Sequence, residues 1–378
     1  MQRTGIYIHI PFCRRRCSYC DFATHAFDAG LSARYVRALA SEIERFNATS
    51  AMRDVDTIYF GGGTPSLLLP EQISFVLDAV KKCFHVAESS EVTLEIDPGT
   101  ASPDALREFR SLGINRASFG AQTFDDDELR RLGRAHTSAD IRRTMLDLRE
   151  AGFANISLDL IAGLPSQTLP AWQHNIDEAL ALRPEHLSLY LLEIHEGTPL
   201  AAQIKRGAVE KPDDDVAAAM YRLVVAETLA AGYEHYEISN FCVPGYEARH
   251  NTKYWTSAPV YGFGCAAHSY DGNSRRWSNE RGTTRYLELI ESNRDAIGEV
   301  IELAAVEQRA EAIFLGLRLQ QGINLCEHQT RYGVDVREQY RDELARLADA
   351  GLIELKNDTM KLTPHGALLS NEVFATFI

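Results

Sequence analysis

The chain has 378 residues, 45% hydrophobic and 24% charged, a composition typical of a soluble globular protein with room for one large domain and a smaller one. Its formal net charge of −14 argues against a broad nucleic-acid footprint. No apolar run reaches membrane-spanning length, and no amphipathic anchor stands out, so any membrane contact is expected to be peripheral.

The run Met1-Gln-Arg-Thr leads straight into a strand, so no signal peptide is expected. The seven cysteines are an odd number, with three of them clustered. That pattern fits a metal site in a reducing compartment better than a disulfide framework, and a cytoplasmic protein is expected.

In chain order, short apolar or β-branched runs predict strands at Ile6–Ile10, Thr57–Phe60, Val92–Ile96, Arg116–Phe119, Ile156–Ile161 and Leu187–Leu192. Helical patterns fill the gaps at Ser32–Phe46, Glu71–Cys83, Pro103–Leu112, Ser138–Ala151 and Leu169–Leu182. Ser102 before Pro103 is a cap followed by proline at the first helical position, and Ser138 is read as a cap in a similar role. Six βα units imply a parallel sheet with helices outside. Six is too few for an eight-fold barrel, so a partial (βα)6 TIM-like barrel is expected, with its site at the carboxyl ends of the strands.

The polar motifs fall at those ends. Gly61-Gly-Gly-Thr-Pro65, Asp97-Pro-Gly99, Gln122 and Gly163-Leu-Pro165 follow strands two to five. After Leu192 a helix near Asp214–Ala231 precedes a Tyr-, His- and Gly-rich stretch, Tyr233–Trp277. A mixed α/β tail closes the chain, where helix Val336–Ala350 and strands Leu352–Leu355 and Thr359–Leu362 suggest a small α+β, winged-helix-like module. The expected division is residues 1–232, the barrel; 233–303, a connecting region; and 304–378, the C-terminal module.

The strongest chemical signal lies directly after the first strand, in Tyr7-Ile-His-Ile-Pro-Phe-Cys-Arg-Arg-Arg-Cys-Ser-Tyr-Cys-Asp-Phe22. Cys13, Cys17 and Cys20 are spaced C-x3-C-x2-C. Three thiolates can hold three irons of a cubane cluster and leave the fourth iron open for chemistry. A zinc site usually wants four ligands, commonly in two paired clusters. His9 and His25 could complete such a set, but the strand is expected to aim His9 away from the loop tip. Arg14, Arg15 and Arg16 either offset cluster charge or are simply solvated.

Three glycines in a row at Gly61, Gly62 and Gly63 exceed what a tight turn requires. They let a backbone approach a ligand and expose amide groups, so a small ligand bearing an amine or carboxylate could sit there, near Thr64. Glu95, Gln122, Arg134 and Asp159 lie on or after predicted strands. Buried carboxylates need partners, and ribose hydroxyls would serve.

His250-Asn-Thr-Lys-Tyr-Trp255 is the second unusual feature. A lone loop histidine is usually structural, but Tyr254 and Trp255 could flank a flat macrocycle while His250 ligates its iron; the plain alternative is an aromatic packing cluster. Cys83, Cys242, Cys265 and Cys326 are scattered and read as small buried hydrophobes.

The cysteine loop, Gly61–Pro65 and the βα repeat resemble the radical S-adenosylmethionine (SAM) superfamily. More narrowly, Tyr7-Ile-His-Ile-Pro-Phe-Cys13 resembles its oxygen-independent coproporphyrinogen III oxidase group, over nearly the whole chain, tail included. The oxidase branch carries a cysteine two residues after the third cluster cysteine, where this chain has Phe22, and an N-terminal arm, which a strand starting at residue 5 or 6 is expected to lack. The haem-chaperone branch has phenylalanine there and an H-N-x-x-Y-W motif, and this chain is similar to it in both.

The resemblance implies a [4Fe–4S] cluster on Cys13, Cys17 and Cys20 whose open iron takes the amino and carboxylate groups of SAM. It implies Tyr7 beside cluster and SAM, Gly62, Gly63 and Thr64 on the methionine part, and Glu95 and Asp159 on the ribose. Gln122 and Arg134 would complete the pocket, and His250 would be the haem ligand. The function implied is a haem chaperone, homodimeric when cluster-loaded, delivering haem to respiratory membrane proteins or a haem-storing ferritin. The alternative is the oxidase itself, using a 5′-deoxyadenosyl radical for oxidative decarboxylation to protoporphyrinogen IX. Haem-degrading radical methyl transfer shares the cluster loop as a third possibility.

Overall fold

The computed structural model describes residues 3–47 and 52–378. Six strands pair in parallel and in chain order: β1 (Thr4–Ile10), β2 (Asp54–Gly62), β3 (His85–Ile96), β4 (Arg116–Gln122), β5 (Ile156–Ala162) and β6 (His186–Leu191). Between them run α1 (Ala29–Asn47), α2 (Pro70–Cys83), α3 (Pro103–Ser111), α4 (Asp126–Leu132), α5 (Ser138–Glu150) and α6 (Leu169–Ala181). This is the expected α/β partial barrel.

Side-chain alternation along the strands separates two faces. Ile6, Ile8, Ile58, Phe60, Leu94, Phe119, Leu158 and Leu187 are buried in the main hydrophobic core with helix residues such as Leu39, Val76, Phe109, Leu148 and Trp172. The intervening positions are polar: Tyr59, Thr93, Glu95, Ser118, Ser157, Asp159 and Ser188. A sheet buried on both faces would read as a continuous apolar run; here one face is built for a polar lumen.

The caps follow local chemistry, with one correction. Ser102 accepts from Ala105 N as expected, at 3.2 Å. For α5 the cap is Thr137, not Ser138. Asp140 stands three residues after Thr137 and reaches back to its amide at 2.8 Å, which closes a capping box that Ser138 would place out of register. Two seven-residue helices, α4 and Pro199–Lys205, have no counterpart in the sequence prediction.

Residues 233–303 extend the sheet at both edges. Strands β7 (Glu234–Glu237) and β8 (Asn240–Cys242) add antiparallel pairs beyond β6. On the other side β9 (Val260–Phe263) lies parallel to β1, followed by antiparallel β10 (His268–Tyr270), β11 (Arg275–Asn279) and β12 (Ile297–Glu302). The result is a sheet of twelve strands. Within this region, His250–Trp255, read as a loop, lies in helix α8 (Arg249–Trp255), which follows α7 (Asp214–Ala230) in our numbering.

The C-terminal segment has its own core, including Ile313, Leu344, Met360, Leu362 and Phe374. The helix expected over Val336–Ala350 is broken at Tyr340 (φ −116°, ψ 31°) into Val336–Gln339 and Arg341–Asp349. Its hairpin pairs Ile353–Lys356 with Thr359–Leu362 across Asn357 and Asp358, both at positive φ (49° and 62°), as a two-residue turn requires. Cys83, Cys242 and Cys265 are buried, but Cys326 is exposed. No helix among the described residues is long and apolar enough to cross a membrane.

Candidate cluster and cofactor site

The cysteine loop leaves β1 over the carboxyl ends of the strands and is tied down by backbone bonds. Gly63 N donates to Ile10 O at 2.8 Å and Thr64 N to Phe12 O at 2.7 Å, while Phe27 N returns to Cys13 O at 2.9 Å. Gly62 takes φ 110°, and a Cβ there would meet the His9 ring at 2.5 Å. A Cβ on Gly63 would meet Phe12 O at 2.7 Å and Cys13 Sγ at 3.0 Å. These two glycines are therefore required sterically, beyond any turn preference.

Cys13, Cys17 and Cys20 are free and half-buried. Burial above all, opposed by the Thr64 hydrogen bond and aided by the neighbouring Cys20 and Cys17, raises the Cys13 thiol to about 11, so the three thiols share one electrostatic environment. Among the described residues no three His, Cys, Asp or Glu side chains are gathered for a single metal ion. A cubane has a wider demand, since each thiolate takes a different iron. His9 is not aimed away as expected: its ring lies under Gly62, with Nδ1 3.1 Å from Tyr7 Oη and Nε2 3.0 Å from Ala23 O. Both nitrogens are thus engaged, one within β1 and one on the segment that follows the cysteine loop. Arg14, Arg15 and Arg16 are exposed, with Arg16 turned onto Cys20 O at 3.1 Å.

Below the loop the lumen brings together the residues the sequence singled out. Glu95 accepts from Tyr59 Oη at 2.7 Å and from Gly62 N at 3.1 Å. Burial raises it to about 7, with Tyr59 and Gly62 holding it back and Asp159 pushing it up. Asp159 is raised by burial to about 6, and its buried Oδ1 has no hydrogen-bond partner. Arg134 donates to Gly120 O at 2.8 Å and to Cys17 Sγ at 3.4 Å, and pairs with Asp97. Gln122 adopts φ 66° where the β4–β5 register shifts, an unusual backbone for a non-glycine residue of the kind concentrated at functional sites. Tyr7 stacks on Tyr59 with ring centroids 6.2 Å apart.

Three residues of this lumen were not singled out as ligand contacts. Asp97, flagged only as part of a turn, is the counter-ion of Arg134; burial raises its carboxyl, but Arg134 and His136 more than offset that and hold it low. Arg116, fully buried with an unpartnered Nε, places a positive charge near Glu95 and Asp159. Tyr59 links Tyr7 to Glu95.

The residues fit a cluster with a polar, ribose-bearing ligand. There is a glycine cradle, an orphaned carboxylate oxygen on Asp159, and an arginine bridging a cluster thiol to the lumen wall.

His250 lies at the opposite, amino-terminal end of the same lumen. It is 1% exposed, with Nδ1 2.9 Å from Thr57 Oγ1 and Nε2 3.1 Å from Tyr254 Oη. Its ring sits 5.2 Å from that of Tyr59. Burial, then Lys253 and Arg116, lower it to about 3, so the imidazole is neutral. The Trp255 face carries the Arg318 guanidinium at 4.2 Å. Tyr254 is 40% exposed. Ligation of iron by Nε2 therefore requires its contact with the Tyr254 hydroxyl to break.

The Radical SAM superfamily model matches residues 7–179, and the HemN C-terminal domain model matches residues 303–369. The chain is 37% identical over 373 residues to "Heme chaperone HemW" of Bacillus subtilis, covering 98% of each chain. It is 32% identical to the protein of the same name in Escherichia coli K12, covering 99% of this chain and 98% of that one. The solved structure of the E. coli coproporphyrinogen III oxidase HemN, a radical SAM enzyme, superposes with a TM-score of 0.87 at 24% identity, over 99% of this chain and 90% of that one; it shares the fold. With such identity over its full length, the chain belongs to the HemW family of the radical SAM superfamily.

Proposed function

We propose that this protein is a haem chaperone that binds haem and passes it to haem-requiring proteins, with respiratory membrane proteins or a haem-storing ferritin as recipients. The observation that carries the reading is the full-length kinship with proteins named as haem chaperones. The geometry of His250 is compatible with it. Its imidazole is neutral, as an axial ligand must be, and its Nε2 is engaged by the Tyr254 hydroxyl.

In this reading Cys13, Cys17 and Cys20 would hold a [4Fe–4S] cluster, which would supply a metal anchoring point for SAM. The chain's own residues do the rest. Tyr7, Gly62, Gly63 and Thr64 line the methionine end, and Glu95 and Asp159 accept from the ribose hydroxyls. Gln122 and Arg134 close the wall. The cluster-loaded form is a homodimer, and any membrane contact is peripheral.

The test is a haem titration of anaerobically reconstituted protein, followed by its Soret band. Wild type is expected to bind haem and His250→Ala to bind at least tenfold more weakly. Equal binding removes His250 as the ligand. In parallel, coproporphyrinogen III is supplied with SAM and a reductant; no turnover is expected, and formation of protoporphyrinogen IX would replace the chaperone reading with the oxidase.

A further inference from the structure

The two ends of the lumen are joined by one side chain. Tyr59 presents its ring to His250, with centroids 5.2 Å apart and planes tilted by 30°, and its hydroxyl donates to Glu95 Oε1 at 2.7 Å. The other oxygen of Glu95 holds Gly62 N at 3.1 Å. A single connected path therefore runs from the histidine of α8 to the carboxylate and glycine at the cluster end. Tyr59 belongs to neither binding set.

In its present seat His250 has both ring nitrogens engaged, Nδ1 by Thr57 and Nε2 by Tyr254. Binding iron through Nε2 needs an open coordination direction in place of Tyr254 Oη. A residue that is 1% exposed gains that direction only by leaving the seat. When it leaves, Tyr59 loses the ring packed against it, and its hydroxyl is no longer fixed on Glu95. Conversely, a ligand whose ribose is gripped by Glu95 keeps that carboxylate, and with it Tyr59, in the arrangement that seats His250.

We infer that haem at His250 and SAM at Glu95 oppose one another, with Tyr59 as the positioning residue that couples them. The inference rests on the reading of His250 as the haem ligand. Its content is the sign of the coupling and the side chain that transmits it. The element with two states is the His250 seat, and linkage makes the effect reciprocal: whatever factor SAM costs haem, haem costs SAM.

The experiment uses the full chain with its cluster reconstituted. Haem is titrated with and without saturating SAM and followed by the Soret band. SAM is titrated with and without haem by calorimetry. In the wild type each ligand is expected to weaken the other by the same factor, about fivefold or more. Tyr59→Phe keeps the ring against His250 and Tyr7 and removes only the hydroxyl. It is expected to bind both ligands, with the dependence of each on the other lost.

Haem affinity in the wild type that is indifferent to SAM overturns the inference. So does a dependence that survives intact in Tyr59→Phe, which would mean direct competition for one space. Failure of the underlying reading shows elsewhere: equal haem binding by wild type and His250→Ala removes the ligand, and the inference with it, whatever SAM does. The cluster's visible absorption and a thermal melt of Tyr59→Phe confirm that the variant is folded and loaded.

Discussion

Glu95 shows how a single side chain trades stability for a binding role. Burial lifts its carboxyl from an ordinary 4.5 to about 7, against the hydrogen bonds from Tyr59 and Gly62. Between those two values the folded chain holds a proton that the unfolded chain has released. Stability through this group is therefore full below about pH 4.5 and declines as pH rises to about 7. Glu95→Gln removes the charge that burial penalises. Thermal melts across that range should show the wild type losing stability with rising pH and the variant following a flatter curve, while SAM binding by the variant falls at least tenfold. Parallel curves for the two would show that Glu95 titrates normally. At this scale the sequence was informative where chemistry is local. The cysteine spacing, the glycine run and the carboxylates in strand sequence all pointed to the lumen. It was silent where the chemistry is a meeting of distant residues. Asp97 answers Arg134, 37 positions on, and nothing in either neighbourhood announces the partner. Tyr59, inside a strand, reads as an ordinary β-former. His9 was misplaced because alternation along a strand gives a face, but not which loop folds back over it.

Helix α8 is an element the sequence showed only as a motif. Its cap position is Ala248, which offers no side-chain acceptor, and a seven-residue helix is not stable by itself. Tertiary contacts hold it. Glu91 of β3 accepts from Arg249 N at 3.0 Å and His250 N at 2.9 Å, satisfying two orphan donors of the first turn with a favourable charge. Lys253 reaches Arg3 O at 2.8 Å and Asp56 at 2.6 Å. This explains why helix start signals fail here while they work for α3: Ser102 supplies its cap locally, whereas the cap of α8 comes from residue 91. Glu91→Ala should cost about 2 kcal/mol in a urea titration, since it strips a charged acceptor from one buried and one part-buried amide, and it should also loosen the seat of His250. Faster amide exchange at residues 249–255 than in α3 would register that loosening; unchanged exchange would mean that the side chains of Arg249 and Lys253 pin the helix without Glu91.

Across the whole molecule, the alternation of βα units was legible because each strand and helix is long enough to carry a period. The flanking strands β7, β8, β9 and β10 were not. They are three or four residues each, mostly polar or aromatic, and are held by sheet edges that exist only once the barrel has formed. The same is true of the link between that sheet and the C-terminal segment, which centres on Arg318. Its guanidinium covers the Trp255 ring at 4.2 Å and faces Glu237 at 3.9 Å, while its backbone carbonyl takes Ile238 N at 3.1 Å. Burial raises the Glu237 carboxyl, and Arg318 is the foremost group opposing that rise. Arg318→Ala removes the cation from both partners. The long separation and the partial exposure of the arginine keep the loss below that of a tight buried pair, about 2 kcal/mol. The sign with pH follows from the acid left behind. Without Arg318, Glu237 is more readily neutralised, so the penalty should be larger at the higher of two pH values and shrink at the lower one as the carboxyl takes up a proton. Adding Glu237→Gln to Arg318→Ala should recover much of the loss at the higher pH. Urea titrations of both variants at the two pH values decide it: an equal loss at both would assign the role of Arg318 to its stack on Trp255, and the Glu237 charge would then play no part in joining the two regions.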